Sequence, residues 1–316
     1  MDDKFSWPSY PQTEDDFNHL MLAVDDNLAK KDLKPFQRTL HVGRLFWEAF
    51  GWGGLAIPPK ELAERPGYAG DVLMAKSYRW YEDRYGDQLK APMAYGFAPV
   101  KLGNAVWSVR AGVVLGRAML FIDRNLANKG NAMGSRNVEA SLNVLTQIEG
   151  LPQGLANSLS DAALRSHFEF HLLVHQTLQW RSLLPNIELF DTAQADYDAS
   201  TDNVLQHRYG QARWSSQQAA EKTLKGLLTL GGTSFSTKGA DGHNLKKLGE
   251  SLQTNHGIAI TPELLTLASC SPAVRYGEES STQDQAIASN HAVLHVLEQL
   301  SRNPNTEVLL ARHKEL

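Results

Sequence analysis

Three sets of residues in this chain combine types and spacings that can do chemistry. His167, His171 and His175 recur at i, i+4 and i+8, and two histidines four apart on one helical face can share a zinc ion. The HExxH arrangement is absent, because Glu169 lies two residues from each flanking histidine, and no cysteine is near. A plain polar stripe along a helix is the competing reading. In the second set, Asp284, His291, His295 and Glu298 fall at i, i+7, i+11 and i+14, opposite Val293, Leu297 and Leu300. Two imidazoles flanked by carboxylates can titrate near neutral pH, hold a metal or meet a partner subunit; a hydrated helix face is the alternative. Lys222, Lys225, His243, Arg275 and Tyr276 form the third set, as candidates for an anionic ligand. Lys222 and Lys225, three apart on one helix, project together. Arg275 sits in a link bounded by proline and glycine, where its planar fork can grip a phosphate. His243 heads a helix, whose N-terminus itself favours anions. Neutralisation of these cations by Glu221 and nearby carboxylates is the competing reading.

Helices must position these residues. From Arg213 to Leu228, Ala220, Leu224 and Leu227 keep an i, i+4, i+7 stripe, while Trp214, Gln218, Glu221 and Lys225 keep the same rhythm on another face. Glu221 precedes Lys225 by four, the favourable order for a helical ion pair. Taken alone, the helix reads as packed on one side and solvated on the other. Gly242-His243-Asn244-Leu245 starts a second amphipathic helix, and Thr261-Pro262 opens a short one. Ser271 to Gly277 is a link broken by proline and glycine, and a long last helix runs over 282–300.

The order Ala219-Ala220-Glu221-Lys222, Gly242-His243-Asn244-Leu245, Val274-Arg275-Tyr276-Gly277 and a last helix resembles the HEPN domain, a helical module widespread in prokaryotes. The likeness covers roughly the last third of the chain. It implies a bundle of four or five helices and a homodimer, with binding of a nucleotide or RNA, or an assembly role, in stress or phage-defence settings. Helices 213–230 and 283–300 are polar on one side and apolar on the other, offering more face than one small bundle covers. Members that cut RNA are similar in placing an arginine four to six residues before a histidine on the last helix, the histidine moving a proton and the arginine holding phosphate. Here Ser289 stands in the arginine's place before His295, and Arg275 precedes the helix. The implied function is therefore a non-catalytic binding or assembly module without a cofactor. One alternative is a divergent metal-independent ribonuclease using His291 or His295 with Arg275. Another is a metal-binding protein built on His167, His171 and His175. HEPN domains often accompany a nucleotidyltransferase domain, with Gly-Ser on a turn and a following Asp-x-Asp pair for magnesium. Gly134-Ser135 is present, but Leu145-Thr146-Gln147 stands where the carboxylates belong, so that enzyme is not expected.

The rest of the chain reads as a mixed domain. Helices are expected from Asp15 to about Phe50, broken near Lys34-Pro35, over Gly70 to Tyr85, and over Asp161 to about Leu183 with Ser160 as N-cap. The 70–85 helix interleaves Tyr78, Trp80, Tyr81 and Tyr85 with Arg79 and Arg84, a pattern that can stack bases, though aromatic packing is the favoured reading. Gly51-Trp52-Gly53-Gly54 looks like a phosphate loop only superficially, since no Lys-Ser or Lys-Thr follows. Between Met93 and Ile148, alternation and glycines predict two to four antiparallel strands, with a loop over 125–136. The predicted fold class is α+β, divided as a mixed domain over 1–187, a helical domain over 188–302 and a tail over 303–316. The net charge of −4 excludes a global basic footprint, so any nucleic-acid site is a local patch. One cysteine, Cys270, excludes an internal disulfide and suits a reducing cytoplasm, and no apolar run reaches the roughly 20 residues of a membrane span.

Overall fold

Capping and punctuation fix the first helices where the sequence predicts them. The Thr13 hydroxyl accepts from Asp16 N while the Asp16 carboxylate accepts from Thr13 N, a capping box that opens α1 (Glu14–Ala29). Proline starts α2 (Pro35–Phe50), and Gly51 ends it with a left-handed φ of 68°. The third helix, α3 (Gly70–Tyr85), completes a core with Leu20, Met21, Phe46, Leu73 and Tyr81. Asp25 ties the three helices at one point: Arg38 Nη1 donates to it at 3.0 Å and Tyr85 OH at 2.5 Å. Tyr81 is fully buried, and Tyr78, Trp80 and Tyr85 pack against the same core, so the aromatic series of α3 is packing.

The computed structural model describes residues 5–51, 58–89, 93–113, 117–131, 139–236 and 242–314. It divides the chain into two compact units, 1–92 and 93–316. Trp52, Gly53, Gly54, Gly134 and Ser135 lie outside the described residues.

The second unit begins with a hairpin of β1 (Ala94–Leu102) and β2 (Ala105–Gly112), antiparallel with Pro99 opposite Ser108. Its turn needs Gly103, which has a φ of 60°. A second pair, β3 (Ala118–Phe121) and β4 (Ala140–Asn143), is parallel rather than antiparallel. The connection between them is too long for a hairpin and returns the chain to the same end. Ile148 then bridges antiparallel to Val109.

The remainder is helical: α4 (Gln153–Ser158), α5 (Asp161–Arg181), α6 (Glu188–Leu205), α7 (Tyr209–Leu230), α8 (Leu245–His256), α9 (Pro262–Ala268), α10 (Pro272–Arg275), α11 (Gln283–Arg302) and α12 (Pro304–Lys314). Ser160 caps α5 through its side chain, as expected. At the centre lies α7, with Ala220, Leu224, Leu227 and Leu228 fully buried. The fold is thus α+β, with a small antiparallel sheet and a helical bundle.

The predicted boundary at 187/188 falls inside the second unit. One hydrophobic core joins Ala98 and Ala111 of the hairpin, Val174 and Leu178 of α5, and Leu224 and Leu297 of the bundle. The predicted tail is the helix α12, whose Leu309 enters the same core. The faces of α7 and α11 proposed for dimer pairing are covered by this chain's own elements, since buried residues lie on both sides of each helix. Among the described residues, no helix is long and apolar enough to cross a membrane.

Candidate functional site

The polar face of α7 does not look into solvent. The Glu221 side chain is 4% exposed and Lys225 9%, with Lys225 Nζ donating to Glu221 Oε1 at 2.6 Å. Burying an ion pair is costly unless its remaining lone pairs are also met. Here they are: His243 Nδ1–H donates to Glu221 Oε2 at 3.0 Å, and Gln218 Nε2 reaches the same oxygen at 3.4 Å. Lys225 also lies 5.6 Å from the centre of the Phe235 ring. The AAEK and GHNL segments, 22 residues apart at Glu221 and His243, therefore meet through a carboxylate and an imidazole.

His243 stands at the wall of a cleft of about 630 Å³, whose lining includes Trp214, Gln217, Asn244, Lys246 and Cys270. Gln217 bridges two walls: its Nε2 donates to His243 O at 3.4 Å, and its Oε1 accepts from the backbone N–H of Cys270. Asn244 caps α8, accepting from the backbone N–H groups of Lys246 and Lys247. This cap fixes the direction in which the chain leaves His243. Burial pushes the Cys270 thiol up, with Glu279 adding to the rise and Arg213 opposing it, so Cys270 sits in the wall as a protonated thiol.

Arg275 joins the cleft by way of Trp214. Its guanidinium lies 4.4 Å from the Trp214 ring centre and 5.4 Å from that of Tyr276, which is 70% exposed. Among the described residues no carboxylate pairs with Arg275, nor with Lys246. A cation held on aromatic faces keeps its N–H donors available for a phosphate.

Of the five residues predicted for an anionic ligand, only His243 lines this cleft; Lys225 lies behind it on Glu221, and Arg275 stacks on the lining residue Trp214 and on Tyr276. Lys222 lies elsewhere: Lys222 Nζ pairs with Asp196 of α6 at 2.6 Å. The two lysines are neighbours on α7, yet α6 covers one and the His243 segment the other. Sequence reasoning did not place Gln217, Asn244, Lys246 or Cys270 in a site; of these only Asn244 falls in the GHNL segment.

The last helix has a different task. His291 Nε2–H donates to Pro99 O at 2.7 Å, and its ring packs on Phe170 at 4.4 Å. The Phe97 and Tyr95 carbonyls accept from Thr201 Oγ1 and Arg181 Nη2. Side chains from α11, α6 and α5 thus satisfy the alternate carbonyls of Tyr95, Phe97 and Pro99, closing that stretch of the β1 edge, which would otherwise be open to another strand. Burial lowers the His291 pKa, against the opposing pull of its hydrogen bond to Pro99. Ser289, in the place of the nuclease arginine, is buried. His295 pairs with Glu298 at 3.0 Å, and Asp284 with Lys101 at 2.8 Å. Neither histidine lines the cleft, so His243, Arg275 and His295 do not converge there.

The three histidines of α5 do not gather round a common point. Their rings follow one another at 6.3 Å spacings, and His175 Nε2–H donates to Gly112 O at 3.2 Å. Burial pushes His167 down to about 4 and His171 to about 3, as packing against the hairpin excludes water from both. No group of three or more His, Cys, Asp or Glu among the described residues is placed to hold a metal ion. Compared with known proteins, the chain matches no family model, no curated protein and no solved structure.

Proposed function

We propose that the second unit is a HEPN-like binding module without nuclease chemistry, whose cleft beside α7 takes a nucleotide or a short stretch of RNA. The observation that carries this reading is Arg275 lying over Trp214 with no carboxylate partner among the described residues, Trp214 itself lining the cleft with Lys246 and His243. An aromatic ring, cationic donors and neutral amides around about 630 Å³ suit a base and its phosphate. Ribonuclease action through His291 or His295 has no support in their contacts. Metal binding through α5 has none either.

The test is titration of nucleotides and short RNAs into the wild type and Arg275→Ala at two salt concentrations. Genuine phosphate contacts give affinity that falls with salt, and a salt slope shallower by about one in the variant. Equal affinity and slope in both proteins would remove Arg275 from the site. The cytoplasmic setting, supported by the single cysteine, belongs to the same proposal, as does the homodimer that the HEPN likeness implies, which would have to pair through a face other than those of α7 and α11. Light scattering checks the dimer: a mass of 35.0 kDa at micromolar concentration would rule it out.

A further inference from the structure

The Glu221–His243 contact has a chemical consequence for what the cleft binds. His243 Nδ1 is committed as a donor to the buried carboxylate, at 3.0 and 3.1 Å from its two oxygens. In the neutral ring this leaves Nε2 as a bare lone pair, which repels a phosphate oxygen; in the imidazolium, Nε2–H becomes a charge-assisted donor to that same oxygen. His243 is 49% exposed on its side chain and belongs to the cleft wall, so a ligand there can reach the ring.

We propose that His243 is a proton-linked phosphate donor of this cleft, oriented by Glu221, so that phosphodiester binding takes up a proton at Nε2. The inference rests on the binding role proposed above and adds the group that sets its pH dependence. Glu221 is suited to the role because it is fixed from behind: Lys225 balances its charge and Gln218 adds a donor. The pair Glu221 and Lys225 is neutral as a unit, so protonation of His243 changes the cleft's charge by a full positive unit. The other charged or titratable groups of the described elements around the ring are Lys246 of α8, Arg275 of α10 over Trp214, and Cys270, with Arg213 and Glu279 beyond it. Burial pushes the Cys270 thiol up. Among the side-chain types of this wall, imidazole is the one whose ring can either donate or withhold a second N–H, and Glu221 leaves Nε2 as the nitrogen that faces a ligand's oxygen.

A mixed-sequence RNA pentanucleotide with hydroxyl ends is the probe, because its phosphodiester charge is the same at pH 5.5 and 8.0. Calorimetric titration at constant ionic strength is expected to give wild-type affinity about tenfold higher at pH 5.5 than at pH 8.0. His243→Gln keeps a side-chain donor but cannot titrate, and at a half-exposed position it leaves the fold intact, which circular dichroism checks. Its affinity is expected to be the same at both pH values within a factor of about two. A pH dependence in His243→Gln equal to that of the wild type would overturn the proposal, as would a wild type with none. In either case RNA still binds, and the binding role stands. Failure to bind the pentanucleotide at both pH values would overturn both.

Discussion

His171 is wholly buried with neither ring nitrogen hydrogen-bonded, and together with the similarly buried His167 it makes the molecule sensitive to acid. Burial holds its folded pKa at about 3, and holds that of His167 at about 4, against an ordinary value of 6.5. In the unfolded chain both rings take up a proton near 6.5, so below that pH the unfolded state binds more protons than the folded one. Stability from these two groups is thus intact above pH 6.5 and is lost as pH falls from there towards 4. The expected slope is about 1.4 kcal/mol per pH unit for each histidine. Urea unfolding at pH 5, 6 and 7 measures it, and His171→Leu is expected to make the slope shallower by about one proton. A slope unchanged in that variant would mean that other groups govern the acid response. The neighbours His291 and His243 show how little the residue type alone decides. His291 is buried and donates to a strand carbonyl, while His243 leans on a carboxylate at an open cleft.

At the scale of the element, α7 shows which part of a helix a sequence reveals. The stripe of Ala220, Leu224 and Leu227 was legible from spacing, because a helix turns 3.6 residues per turn whatever surrounds it. The Glu221–Lys225 ion pair was legible too, since it is local. That the pair is buried was not, because the covering segment arrives only with His243, and nothing in the spacing of either segment states that they touch. Lys222 failed for the same reason: its neighbour Asp196 belongs to α6, brought alongside by tertiary packing. The edge-closing role of His291 depends on Pro99, some 192 residues earlier, and had no local signal. Ala220→Asp tests the phase directly. It would place an unpaired carboxylate at a position with no exposed surface, costing on the order of several kcal/mol. The expected result is loss of the cooperative thermal transition of the second unit, and near-wild-type melting would show that Ala220 does not face the core.

For the whole molecule, the sequence showed the change of texture at Met93 but placed the domain boundary near residue 187, where Pro185 interrupts the helices. A break in secondary structure is not a break in the core. Past Pro185 the same apolar cluster continues: Val174 and Leu178 of α5 and Ala98 and Ala111 of the hairpin lie in it together with Leu224, Leu294 and Leu297. The compact unit therefore begins at 93, and fragments test this. A fragment of 93–316 keeps this core whole and is expected to unfold in one sharp thermal transition with native helical circular dichroism. A fragment of 188–316 removes the hairpin and α5, takes Ala98, Ala111, Val174 and Leu178 out of this core, and strips His291 and Thr201 of the carbonyls they serve. Exposure of that much apolar surface, with buried donors left unpaired, costs more than the few kcal/mol by which an ordinary domain is stable. The shorter fragment is accordingly expected to aggregate or to lose its sharp transition and bind hydrophobic dyes, as loosely packed states do. If 188–316 instead melts as sharply as 93–316, the helices after residue 188 form an independent domain and the hairpin with α5 is an ornament on it.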